Sequence, residues 1–197
     1  MKRGIQITIT VAVVFVAGAC NVPLLYADLV WNGGYHEFSE GLEGEIDMIN
    51  GATADITGGE IGILRCWDTS SVFVYEPSEI DLLRPSDFST ANVYSGTIGI
   101  LFALGSTETH IYGGSLDWLD PVDLSTVNLY VKSYVLDPTG GDFGDGLLTG
   151  FWLDGGSFSI DLVTDEAISH INFVPEPSCI TLMLIGSLIL SRITKKK

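Results

Sequence analysis

A short pattern returns along the middle of this chain at almost constant spacing, and it restricts the fold more than any other feature of the sequence. Ala54–Gly59, Val72–Pro77, Ala91–Gly96, Thr109–Gly114 and Val127–Lys132 can be laid over one another. Their central aliphatic residues, Ile56, Val74, Val93, Ile111 and Leu129, are separated by 18, 19, 18 and 18 positions. A second apolar position follows five or six residues later, at Ile61, Ile80, Ile98, Leu116 and Tyr134. Each unit reads as a short strand, a glycine-rich corner and a second short strand, and none can bury its apolar face alone. Stacking successive units at about 4.8 Å places the anchors in one internal column.

The pattern therefore predicts an all-β fold, a β-solenoid of about 18 residues per turn. Asp68–Ser71, Gly105–Thr107 and Leu124–Thr126 fall at the same phase as polar corners. Tyr35–Asn50 reads as a degenerate first turn, since Phe38 lies 18 residues before Ile56. The alternative is an antiparallel β-sandwich or jelly roll, which also spaces short strands and turns evenly. After Tyr134 the repeat gives way to a loop of glycine and aspartate. Leu148–Leu153, Asp154–Gly156 and Ser157–Val163 then spell a C-terminal β-hairpin, and Ile168–Phe173 a last strand.

The folded body has natural limits at both ends. Met1, Lys2 and Arg3 precede an apolar run from Ile5 to Ala17, the layout of a signal peptide over residues 1–27. Cleavage after Ala19 or after Ala27 fits, and Cys20 raises lipidation as a third option. At the other end Pro175 and Pro177 flank Glu176, and neither a helix nor a central strand continues through that triplet. From Cys179 to Leu190 the chain is almost wholly apolar, and Arg192, Lys195, Lys196 and Lys197 follow. The 14 residues 178–191 reach about 21 Å as a helix, short of a hydrocarbon core of about 30 Å, a gap that snorkelling lysines extend. Hardly any angle of that helix is left without an apolar residue, which favours a separate C-terminal transmembrane helix over a buried one.

Val174-Pro175-Glu176-Pro177-Ser178, the apolar run and the basic tip together resemble the PEP-CTERM sorting signal of bacterial exported proteins. The resemblance covers residues 174–197 and implies an exosortase as partner and a membrane-anchored intermediate before release to the cell surface or beyond. More weakly, the repeats and the aspartate-glycine hairpin of residues 28–173 resemble the bodies of surface proteins that carry this tail. Exopolysaccharide is the matrix partner that such a setting suggests.

Charge narrows the functional classes. The body holds 24 of the 25 acidic residues and only three basic ones, Arg65, Arg84 and Lys132, a formal charge of about −21. Such a surface repels phosphate backbones, so no nucleic-acid partner is expected. Cys66 is the body's one cysteine, which excludes an internal disulfide and a cysteine-based zinc site. His36, His110 and His170 are far apart, and no triad context, phosphate loop or nucleotide fingerprint appears. No enzyme is expected. The one metal-like cluster is Asp137, Asp142 and Asp145 among glycines, hard oxygen ligands that suit calcium but lack a bidentate glutamate at a fixed offset. Trp31, Trp118 and Trp152 are either sugar-stacking platforms or packing residues. The sequence thus reads as an exported, non-enzymatic surface or matrix protein, with a carbohydrate-binding or carbohydrate-cleaving solenoid as the alternative.

Overall fold

The computed structural model describes residues 28–175. Residues 1–27, read above as a signal peptide, and residues 176–197, with the apolar run and the basic residues read as its anchor, lie outside the described residues. Four-residue strands alternate with longer ones: β1 Asp28–Asn32, β2 Tyr35–Phe38, β3 Leu42–Ile49, β4 Thr53–Ile56, β5 Glu60–Cys66, β6 Ser71–Val74, β7 Glu79–Pro85, β8 Thr90–Val93, β9 Thr97–Ala103, β10 Glu108–Ile111 and β11 Ser115–Pro121. A 12-residue strand, β12 Thr126–Asp137, follows, then β13 Leu147–Trp152, β14 Ser157–Leu162, a 3-10 turn at Ala167–His170 and β15 Ile171–Val174.

The short strands β2, β4, β6, β8 and β10, continued by residues 126–129 of β12, stack in parallel as one face. The longer strands β1, β3, β5, β7, β9 and β11 stack in parallel as the other. Ile56 pairs with Val74, Val74 with Val93, Val93 with Ile111 and Ile111 with Leu129, and none is more than 2% exposed. Phe38 pairs with Ile56, so the degenerate first turn belongs to the stack. Parallel, in-register pairing of successive repeats makes the body a β-solenoid and overturns the sandwich alternative for it. From the opposite face Ile61, Ile80, Ile98 and Leu116 close the core, backed by a fully buried row of Leu64, Leu83, Leu101 and Leu119. Burying each of these side chains contributes about 1.5–3 kcal/mol, which is what holds together turns that have no core of their own.

The one 19-residue step is absorbed in a corner. Glu76, Pro77 and Ser78 stand where other turns have a glycine pair or Ser95-Gly96, and register resumes with Ile61 opposite Ile80. The other corner is built on a column of Asn50, Asp68, Asp87, Gly105 and Asp123, each with φ between 55° and 68°. Asparagine, aspartate and glycine are the residues that accept this left-handed conformation. Their side chains also join the turns: Asp68 Oδ2 accepts the Asn50 N–H at 3.1 Å, and Asp123 Oδ2 accepts the Gly105 N–H at 3.2 Å.

Tyr134 does not occupy the second apolar row. It is 46% exposed and pairs with Gly150, because β12 runs straight on where earlier turns bend. Val131 and Lys132 replace the corner glycines, and a branched or long side chain there favours extended backbone. β12 thus leaves the short-strand face and pairs antiparallel with β13, which pairs antiparallel with β14, which returns in parallel to β11. The β13–β14 pair thereby links both faces at this end. Leu148, Trp152, Phe158 and Ile160 drop into the common core.

Candidate functional site

The last described strand lies at the rim of the stack. β15 adds to β12 at the rim, with Phe173 opposite Leu129 and Val174 opposite Tyr130. Phe173 stacks on Tyr134 with ring centroids 3.7 Å apart. The strand starts at Ile171 rather than Ile168, because Ala167 to His170 coil into a 3-10 turn that buries Ala167. Val174 is half-buried, Pro175 is exposed, and proline has no N–H with which to extend the ladder. Of the residues read above as a sorting motif, Glu176, Pro177 and Ser178 lie outside the described residues, as do Arg192, Lys195, Lys196 and Lys197.

In the aspartate loop the carboxylates make local hydrogen bonds. Asp137 Oδ1 accepts hydrogen bonds from the backbone N–H and the hydroxyl of Thr139, both at 3.1 Å, and so braces its own turn. Asp142 donates its backbone N–H to Asp161 Oδ2 at 3.2 Å. Among the described residues no group of three His, Cys, Asp or Glu side chains is placed to hold a metal, and Asp137, Asp142 and Asp145 are not brought together.

Two of the three candidate tryptophans are packing residues. Trp31 is 7% exposed and stacks on His36 at 5.0 Å; Trp152 is 2% exposed and donates its indole N–H to the Gly114 carbonyl at 3.0 Å. Neither is a sugar platform. Trp118 is half-buried on the outer surface of the longer strands. The histidines serve separate places: His36 contacts the Gly33 carbonyl, His110 the Tyr130 hydroxyl, and His170 the Ser125 carbonyl. Cys66 is fully buried beside Met48 Sδ, and burial pushes its thiol up to about 12, which keeps it an unreactive apolar residue.

Two surface features were not singled out in the sequence. On the short-strand face Tyr75, Tyr94, Tyr112 and Tyr130 form a stacked column, with successive centroids 5.1, 4.8 and 4.1 Å apart. The repeat carried the signal, one tyrosine directly after each of the four anchors Val74, Val93, Ile111 and Leu129. The inner rings of the column cover one another's faces, so it offers edges and hydroxyls rather than stacking platforms.

On the other face each long strand bends. In β9 the inward residues are Ile98, Leu101 and Ala103, so Gly99 and Ile100 both reach the outer surface. The same phase in β3, β5, β7 and β11 holds Gly44, Gly62, Asp81 and Asp117. A concavity of about 430 Å³ opens over Gly44, Gly62 and Asp81 and is walled by Glu45, Glu60 and Glu79. A second, of about 380 Å³, opens at Asp117 and is lined by Trp118, Asp142, Ser159 and Asp161. Phe143 meets Trp118 edge to face at 5.6 Å. No family model, curated protein or solved structure matches the chain.

Proposed function

We propose that this chain is an exported, non-enzymatic surface or matrix protein, whose acidic solenoid is delivered and processed through residues 174–197. One observation carries the reading: the last described strand ends at Val174, on the rim, and Pro175 follows exposed. A processing enzyme would therefore meet the start of the motif outside the packed core. An exosortase is the partner, and the membrane holds the chain through the apolar run before release.

The test is fractionation of variants in an exosortase-bearing host. Replacing Pro175, Glu176 and Pro177 with alanine leaves the chain membrane-bound and unreleased, whereas polar residues across 180–190 abolish membrane retention. Normal release of the triple-alanine variant refutes the proposal. A second reading, a carbohydrate-binding or carbohydrate-cleaving body, is favoured by the concavity that exposes Trp118 beside carboxylates.

A further inference from the structure

We infer that the bent outer face of the long strands is a binding track for an amine-bearing linear polysaccharide, with its principal subsite at Trp118 and Phe143. The two concavities lie on one column of the sheet, Gly44, Gly62, Asp81, Gly99 and Asp117, which runs along the solenoid axis. Successive positions of that column are about 4.8 Å apart, close to the length of one pyranose ring. Gly44, Gly62 and Gly99 leave the floor without side chains, so an extended polymer can lie against the backbone. An outward apolar row, Ile63, Leu82, Ile100 and Trp118, follows beside it, each half-buried.

At the Asp117 end the chemistry becomes selective. Trp118 and Phe143 meet with their planes 74° apart, which makes two walls of a corner. A sugar ring stacks on one, and an ammonium group is drawn to the negative face of either. Asp117, Asp142 and Asp161 line the same cavity as acceptors. An anionic glycan is repelled there, and a neutral one leaves the carboxylates without a counter-charge. Charge complementarity thus selects a polymer of deacetylated amino sugars. The inference rests on the extracellular placement proposed above, but binding and placement are measured separately.

The probe is a β-linked glucosamine hexamer, titrated by calorimetry into the full chain held in non-ionic detergent. Its N-acetylated counterpart, a hexauronate and hexalysine are titrated alongside. The glucosamine hexamer binds, added salt weakens it, and the acetylated and uronate hexamers bind at least tenfold more weakly. Phe143→Ala and Asp142→Asn, both on an exposed loop, each weaken binding about tenfold. Asp55→Asn, on the opposite face, does not change it. Absence of binding, equal binding of hexalysine, or equal weakening by Asp55→Asn overturns the inference. None of these outcomes bears on whether the tail is processed.

Discussion

Tyr112 and Tyr130 stack with ring centroids 4.1 Å apart and planes 17° from parallel, the closest contact in the tyrosine column. Partial burial, followed by the hydrogen bond to Tyr130, raises the Tyr112 phenol from 10.0 to about 12. Its folded value lies above its unfolded one, so the stability it contributes is complete below about pH 10 and is lost as pH rises towards 12. Tyr35, hydrogen-bonded to Asp55 at 2.6 Å, and buried Cys66 are both raised to about 12 and act in the same direction. Urea midpoints of the wild type therefore fall between about pH 8 and about pH 11.5. Tyr112→Phe keeps the stacking and removes one of these groups, so its fall is shallower. Parallel falls in the two proteins would show that Tyr112 is no better protected from ionisation folded than unfolded.

Val93 and Asn92 are neighbours with opposite environments. Val93 lies between Val74 and Ile111 at 2% exposure, whereas Asn92 points outward in the row of Asp55 and His110. Val93→Asp places an unpaired charge in an apolar column and costs several kcal/mol, enough to unfold the body. Asn92→Asp changes stability by about 0.5 kcal/mol or less. Thermal melts of the two variants distinguish these outcomes directly.

Gly114 and Gly155 share an unusual backbone, with φ of 94° and 95°, but not a neighbourhood. A Cβ at Gly114 would lie 2.6 Å from the Gly96 carbonyl oxygen of the preceding turn, whereas at Gly155 it meets nothing within 4 Å. Gly155→Ala pays only the left-handed strain, about 1 kcal/mol. Gly114→Ala must also push two turns apart, and its urea midpoint falls further. Equal midpoints would show that the corner can relax without cost.

The repeat was legible because its inward positions are apolar and its corners need particular backbones. Ile56, Val74, Val93, Ile111 and Leu129 gave the column, and Phe38 its first member. Legibility failed where neighbouring segments decide conformation. Tyr134 has the right phase, but without a corner glycine after Tyr130 the strand carries on and recruits β13. Ile168 looks like strand, yet the 3-10 turn that buries Ala167 claims it. Trp31 and Trp152 are large amphipathic residues whose burial depends on the two ends of the stack, which no local pattern specifies. The outer concavities needed the bend at Gly62, Asp81, Gly99 and Asp117, a departure from strict alternation that shows only once the register is known.

The most direct test of the functional account is the intact mass of the protein released by an exosortase-bearing host. The account predicts a folded body whose mass lacks the apolar run and the terminal lysines, with its C-terminus within or close to residues 174–178. A released protein that still carries Lys197 would contradict it.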